Sequence, residues 1–168
     1  EGQIYETNRA ALATLARHSG SRVKICPIVA DSREATRAAL DAAFAQCDFV
    51  VTAGGVSVGE LDFVKPAFEA CGGTLDFWRV AIKPGKPFVF GQFVGKFLFG
   101  LPGNPVSAFV TFLLLVRPAL LRSQGATQTD LRLIPARAGE RFTNPGDRRH
   151  FIRVHFTADG AVRSSGVQ

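Results

Sequence analysis

The sequence contains few of the residues that build redox and metal sites. It has three cysteines, three histidines and no methionine. Cys26, Cys47 and Cys71 are odd in number, and none has the close spacing of a zinc site or a thioredoxin-like motif. This pattern excludes a disulfide scaffold, and we expect three reduced thiols.

Long apolar runs are also missing. No stretch approaches the roughly 20 uninterrupted apolar residues that cross a bilayer, and the first residues lack the basic-then-apolar order of a secretory signal. We therefore expect a cytoplasmic protein without membrane contact. Because the chain begins with Glu1 and has no methionine, we also expect it to be a piece of a longer protein.

Positive charge exceeds negative charge along the chain. Twenty Lys and Arg against 14 Asp and Glu give a formal net charge of +6. Such a balance favours a polyanionic partner, either a nucleic acid or a phosphate-bearing small molecule. The basic residues are spread out and have no interleaved aromatic ladder. We therefore expect a small phosphate-bearing molecule and no nucleic acid.

Apolar periodicity predicts alternating strands and helices in the first half of the chain. The helices are predicted at 8–18, 35–44 and 62–71, and the strands at 23–29 and 48–53. This alternation is typical of a doubly wound α/β domain. Further along, the pattern predicts β structure at 75–82, a hairpin of strands 87–93 and 96–101, and an apolar helix at 105–121.

The predicted domain boundary is the polar, turn-rich segment 124–130. Residues 1–123 are expected to form the α/β domain. Residues 131–168 contain short strand-like runs separated by turn residues, so they are expected to begin a small β domain. About forty residues are too few to close such a domain.

A glycine-rich loop follows the predicted strand at 48–53. Thr52 ends the strand, and Gly54, Gly55 and Gly59 follow it. Glycine has no Cβ, so a ligand can come close to the backbone amides of such a loop. The loop is therefore predicted to bind an anion such as phosphate.

The same loop places Ser57 in a G-x-S-x-G pattern, between a strand and a helix, as in a hydrolase nucleophile elbow. A catalytic triad in that chain order would need His150 or His155, and both lie in the predicted second domain. The serine hydrolase is therefore a distant alternative. A plain turn in which Ser57 only caps the backbone is another.

A second loop, residues 83–87, holds two lysines between prolines and a glycine. The stiff backbone keeps Lys83 and Lys86 together, and Arg79 precedes them by a few residues. Two like charges held together cost free energy unless an anion compensates them. The loop is predicted to bind an anion, and an ordinary solvated turn is the alternative.

A third loop, residues 100–105, leads into the predicted apolar helix. Asn104 suits the N-cap position and Pro105 the first helical turn. Free amides and the helix dipole favour an anion at such a helix start. A purely structural cap is the alternative.

Asp31 follows the first predicted strand, and Asp62 follows the glycine loop. The carboxyl ends of parallel strands form a ligand crevice. Two carboxylates beside a pyrophosphate would suit Mg²⁺, which takes one or two acids together with phosphate oxygens. Each aspartate by itself also suits a helix cap.

In this order, the motifs resemble the molybdopterin molybdenumtransferase family. The stretches that carry the resemblance are GQIYETNR at 2–9, TAGGVSVGELDFVK at 52–65, FWRVAIKPGKPFVFG at 77–91, GLPGNPVSAFVTF at 100–112 and, weakly, RRHFIRV at 148–154. The glycine loop alone is shared with molybdopterin adenylyltransferases and CinA-like proteins. The loops at 83–87 and 100–105 favour the molybdenumtransferases over these two other groups.

The resemblance implies a three-layer α/β/α, MogA-like molybdopterin-binding domain with a mostly parallel sheet, followed by the start of a small β domain. It implies Mg²⁺-dependent insertion of molybdate into adenylylated molybdopterin with release of AMP. A homodimer is implied, and the molybdopterin adenylyltransferase is a further partner. The alternative is an adenylyltransferase or a related molybdopterin-binding domain of the same fold.

The resemblance also implies roles for individual residues. Catalytic roles fall to Asp62, Asp31, Lys83 and Lys86, with Mg²⁺ at Asp62 and Asp31. Substrate binding falls to Asn8, Thr52, Gly54, Gly55, Ser57, Arg79, Pro87, Pro102, Gly103, Asn104, Pro105 and Arg153. Arg79 stands where the family usually has a lysine, and a pair of acids is reduced to Asp31 and Ser32. Further domains of the family lie outside these 168 residues, so low activity is expected of this piece alone.

Overall fold

A four-stranded sheet is the centre of the computed structural model, which describes residues 6–56 and 62–166. In spatial order its strands are β1 (Phe49–Ala53), β5 (Lys96–Leu101), β4 (Val89–Phe93) and β2 (Thr74–Trp78). β1 and β5 are parallel, whereas β4 is antiparallel to both β5 and β2. The sheet is therefore mixed, because a hairpin forces its two strands to run in opposite directions.

The hairpin between β4 and β5 turns at the predicted residues. Val94 and Gly95 both have positive φ, 48° and 73°, and Phe93 pairs with Lys96 across the turn. Two central residues with positive φ match the right-handed twist of the strands. The predicted hairpin is confirmed.

Helices cover both faces of the sheet. They are α1 (Asn8–His18), α2 (Arg33–Phe44), α3 (Val64–Ala70), α4 (Pro105–Thr111) and α5 (Arg117–Ser123), with a π-helical segment at Phe112–Val116 joining the last two. On one face Leu98 packs with residues of α2 and α3, and on the other Phe99 packs with α1, α4 and α5. Successive strand residues point to opposite faces. The three-layer α/β/α class is confirmed.

The helix at Pro105–Ser123 is long and apolar enough to cross a membrane, judged by length and composition only. Its buried apolar side chains recur every fourth residue, at Ala108, Phe112, Val116 and Leu120. They pack in one cluster with Phe99 of β5 and other sheet residues. This spacing is that of a core helix lying on a sheet.

The predicted strand at 23–29 is wrong. Residues 21–30 have no strand assignment in the described part of the chain, and Ile25 and Ile28 are 48% and 68% exposed. The segment is held instead by side chains, since Arg9 Nη1 donates to the Cys26 carbonyl at 2.9 Å. β propensity needs a neighbouring strand to become a ladder, and this segment has none in the described structure.

The β region follows α5. A three-stranded sheet has the order β6 (Arg137–Ala138), β9 (Ala161–Ser164) and β8 (Val154–Phe156), while β7 (Arg149–His150) pairs in parallel with β3 (Ile82–Lys83). Residues 131–136 have no strand assignment, and the first strand after α5 is β6. A β region after the α/β domain is confirmed, and its boundaries at 124–130 and 131–168 remain predictions.

Candidate functional site

Two of the three predicted loops touch at the carboxyl ends of β1 and β5. These strands stay in parallel register up to Ala53 opposite Leu101, and the Gly54 amide donates to the Leu101 carbonyl at 2.8 Å. A Cβ on Gly103 would lie 3.5 Å from the Gly54 Cα. The glycine loop and the loop at 100–105 are therefore neighbours, at the edge where α/β sheets bind ligands.

Asn8 fastens the loop at 100–105 to α1. Its Nδ2 donates to the Gly103 carbonyl at 2.8 Å, and the residue is only 9% exposed. One of the side chain's donors is therefore used inside the protein. The structure places Asn8 at the predicted site, where it orients the Gly103 backbone.

The helix after this loop starts as predicted. Asn104 Oδ1 accepts from the Ser107 amide at 3.1 Å, and Pro105 is the first helical residue. Pro102 is buried, whereas Gly103, Asn104 and Pro105 are exposed. The start of this helix is thus open to solvent beside the glycine loop.

Glycine is required in the first loop for two reasons. Gly54 and Gly55 have φ of 91° and 68°, and a Cβ on Gly55 would approach Val64 Cγ2 to 3.0 Å. Thr52 Oγ1 is buried and has no hydrogen-bond partner in the described residues. Ser57 lies outside the described residues, so neither its predicted ligand contact nor the hydrolase hypothesis is tested by the structure.

The basic loop is closed by backbone hydrogen bonds. The Arg79 amide donates to the Phe88 carbonyl at 2.8 Å, and the Val80 amide donates to the Lys86 carbonyl at 3.1 Å. Gly85, at the tip, has a φ of 111° and packs against Thr111 of α4. The loop is thereby held against the helix that starts at the third loop.

The two lysines of this loop are exposed, and Pro87 is half-buried. The β region reaches the same loop: the Phe151 amide donates to the Lys83 carbonyl at 2.7 Å, and the Arg149 amide donates to the Ala81 carbonyl at 2.9 Å. Arg153 is exposed and lies two residues beyond Phe151. The structure therefore brings the segment that carries Arg153 to the basic loop.

An open cleft of about 300 Å³ lies where the basic loop meets the β region. It is lined by Arg79, Val80, Ala81, Lys86, Asp147 and Arg148. Arg148 was not among the residues predicted from sequence, although it belongs to the weakly matching stretch at 148–154. Three cations and one carboxylate make the cleft suitable for an anion.

Trp78 connects the glycine loop to the basic loop. Its Nε1 donates to the Val56 carbonyl at 3.2 Å, directly after Gly54 and Gly55. The Arg79 guanidinium lies over its ring, with Cζ 4.1 Å from the centroid. Sequence reasoning missed this residue. The available signal was that the chain's single tryptophan precedes a predicted site arginine.

The two predicted metal ligands, Asp31 and Asp62, differ in their exposure to solvent. Asp31 is exposed, and Ser32 is the N-cap of α2, since its Oγ accepts from the Ala35 amide at 3.1 Å. Asp62 is half-buried just before α3. Among residues 6–56 and 62–166, no group of three or more His, Cys, Asp or Glu is arranged to hold a metal ion. The Mg²⁺ site stays a prediction.

Known proteins resemble this chain along most of its length. Residues 1–122 match the family described as "Probable molybdopterin binding domain". The chain is 46% identical over 127 residues to the molybdopterin molybdenumtransferase of Haemophilus influenzae, covering 76% of this chain and 31% of that protein. It is 36% identical over 158 residues to molybdopterin molybdenumtransferase 2 of Mycobacterium tuberculosis, covering 91% of this chain and 39% of that protein.

Solved structures show the same likeness. A molybdopterin biosynthesis moeA protein from Pyrococcus horikoshii superposes with a TM-score of 0.69 at 26% identity, covering 99% of this chain and 38% of that one. The chain therefore spans less than two fifths of the length of each of these three relatives.

Proposed function

Because this chain belongs to the molybdopterin-binding domain family, we propose that it is the ligand-binding part of a molybdopterin molybdenumtransferase in molybdenum cofactor biosynthesis. The observation that carries the proposal is that two anion-compatible loops touch and the third is linked to both through neighbouring elements. Gly54 touches Gly103, Trp78 bonds to Val56 after the glycine loop, and Gly85 packs on the helix that starts at the third loop. A ligand with several negative groups fits such a place.

The basic loop and its cleft suit molybdate, which is the substrate anion. Molybdate is a small dianion, and Lys83, Lys86 and Arg79 offer charge as well as directional hydrogen bonds. The loop is closed by its own backbone bonds and held on α4 by Gly85, so the backbone that carries its cations is fixed before the anion binds. Preorganised charge of this kind stabilises a reacting anion more than mobile charge does.

The glycine loop and the open helix start suit the phosphate and pterin parts of adenylylated molybdopterin. At Gly54 and Gly103 no side chain separates a ligand from the backbone, and the helix dipole favours negative charge at Asn104. Asn8 holds the Gly103 carbonyl and so keeps the loop in shape. On this proposal Thr52 and Ser57 supply hydroxyl groups to the same ligand.

The chemistry needs positioning rather than a protein nucleophile. Oxygen ligands of molybdate are exchanged for dithiolene sulfurs, and a phosphoric anhydride is cleaved, so charge neutralisation and orientation dominate. Mg²⁺ fits the donor set, because a carboxylate such as Asp62 and the phosphate oxygens of the ligand are the donors that this ion prefers. When bound, it would supply positive charge to the anhydride. We further propose that Asp31 is a second ligand of Mg²⁺. We also propose that the protein is a homodimer and that it is cytoplasmic.

The proposal is tested by AMP release. The chain is mixed in stoichiometric amount with adenylylated molybdopterin, Mg²⁺ and molybdate, and AMP is quantified. We expect slow AMP release that molybdate stimulates. Lys83→Gln and Lys86→Gln should each weaken molybdate binding about tenfold or more, since a hydrogen bond to a charged group contributes about 1.5–3 kcal/mol.

Lys24→Gln is the matched control. It removes the same charge at a lysine whose Nζ contacts the Gln46 side chain, away from the three loops. Transfer of AMP from ATP to molybdopterin would instead favour the adenylyltransferase alternative. AMP release that depends neither on molybdate nor on the two lysines of the basic loop would refute the proposal.

A further inference from the structure

Two cations share the single tryptophan of the chain. Arg79 Cζ lies 4.1 Å and Lys65 Nζ 5.0 Å from the centroid of the Trp78 ring. Lys65 is in the first turn of α3, and Trp78 is the last residue of β2. Tertiary packing thus gathers two positive side chains that are far apart in sequence.

These cations are not neutralised by ion pairs in the described part of the chain. The three ion pairs there join Arg9 to Glu6, Arg37 to Asp41 and Arg137 to Asp159. The face of an aromatic ring attracts each cation but does not cancel its charge. An anion that contacts these side chains would supply the negative charge that the described residues do not.

The backbone at Arg79 is a second observation. Its φ is 91°, in the region that favours glycine, and yet the position carries a long cationic side chain. Strain of this kind concentrates at ligand sites, where the surrounding structure holds it. A purely structural turn would be built more easily with glycine at this position.

The cluster lies beside the glycine loop. Trp78 Nε1 donates to the Val56 carbonyl at 3.2 Å, and Val64, the neighbour of Lys65, contacts Gly55. The indole therefore links both cations to Val56 of the glycine loop.

We infer that Lys65 and Arg79, held on Trp78, form a phosphate subsite, in which Trp78 is a positioning residue. The inference rests on the proposed function, because the phosphate would be part of the ligand's phosphoric anhydride. Lys65 and Trp78 thereby extend the anion site beyond the two lysines of the basic loop. The contrary view is a structural contact that only holds α3 on β2.

Trp78 itself reports on binding, because no other tryptophan contributes to the fluorescence. Inorganic pyrophosphate is titrated into the 168-residue chain while tryptophan emission and, separately, heat of binding are recorded. We expect a saturable change in emission that follows the binding isotherm. Trp78→Phe keeps a ring for packing but loses the N–H donor, so pyrophosphate should bind more weakly by calorimetry.

Two further variants separate binding from folding. Lys65→Gln removes one charge, and Arg79→Gly removes the other while relieving the positive φ, so the fold should be retained. Each should weaken pyrophosphate binding by at least about tenfold, the loss expected for a charge-assisted hydrogen bond. Lys24→Gln should leave the affinity within about twofold, since that charge is exposed and screened.

Unchanged affinity in both Lys65→Gln and Arg79→Gly would overturn the inference, and so would the absence of saturable pyrophosphate binding to the unaltered chain. Molybdate-stimulated AMP release by the unaltered chain separates this failure from failure of the proposed function, because Arg79 also belongs to the proposed molybdate site. Absence of pyrophosphate binding to the unaltered chain, with molybdate-stimulated AMP release intact, would remove only the subsite. A chain that binds pyrophosphate through Lys65 but shows no molybdate-stimulated AMP release would contradict the proposed function.

Discussion

Replacing Gly85 with alanine tests whether the basic loop is held by its contact with α4. The added Cβ would lie 2.6 Å from Thr111 Cγ2 and 3.1 Å from Ile82 Cδ1. Thr111 is fully buried, so its methyl group has little room to retreat. The φ of 111° also disfavours any residue other than glycine.

The two effects set the size of the expected loss. Holding alanine in this backbone conformation costs about 1–3 kcal/mol, and overpacking a buried contact adds about 1–3 kcal/mol. We therefore expect Gly85→Ala to lower the free energy of unfolding by about 2–6 kcal/mol, measured by urea denaturation. Molybdate affinity should fall as well, because the lysines on either side of the tip would be displaced.

Two companion variants divide this loss into its parts. Thr111→Ser removes the clashing methyl at a cost of about 1 kcal/mol for the buried group, and it should recover the overpacking part in the double variant. Gly95→Ala has a φ of 73° and no neighbouring atom within 4 Å, so it should show only the backbone cost. The reasoning fails if Gly85→Ala is no less stable than Gly95→Ala, or if Thr111→Ser does not restore stability.

Two further predictions concern Asn8 and the thiols. Asn8→Ala should lower the free energy of unfolding by about 1–2 kcal/mol, because it loses the hydrogen bond to the Gly103 carbonyl. Asn8→Asp should be at least as unstable, because a carboxylate cannot donate that bond. An Asn8→Asp protein as stable as the unaltered chain in urea denaturation would contradict this. Burial, followed by the Asp41 side chain, raises the pKa of the Cys71 thiol from 9.0 to about 11. Iodoacetamide at neutral pH should therefore label the exposed Cys26 well before Cys71, as read by mass spectrometry. Stability should fall between pH 9 and 11 as the unfolded chain releases a proton that the folded chain keeps.

Local signals in the sequence were sufficient for several elements. The helix at 8–18 has the predicted bounds, and Gly20, with a φ of 83°, follows its C-terminal end. Asn104 caps the last long helix as predicted, and Val94 and Gly95 form the predicted turn. These features depend on residues within one turn of each other, so backbone propensity and capping decide them.

Other predictions needed more than local sequence. The apolar segment at 23–29 has strand propensity but no neighbouring strand in the described structure, and so it stays unpaired. Asp31 and Ser32 both suit a cap, and only the folded geometry shows that the Ser32 hydroxyl accepts the amide bond. Arg148 lies in the cleft because the adjacent strand β7 pairs with β3 and because Arg148 Nη1 donates to the carbonyl of Ile82, 66 positions away in the sequence.

The sequence by itself determined the α/β class and the positions of the three loops, because glycines, prolines and charges act through the adjacent backbone, and the affinity of these loops for anions stays a prediction. Only the tertiary structure decided which of these residues meet. Gly54 reaches Gly103, Lys65 reaches Trp78 and Gly85 reaches Thr111 because parallel strand pairing and close packing of the helices bring distant segments together. Such contacts depend on the position of the whole backbone, which no short stretch of sequence encodes.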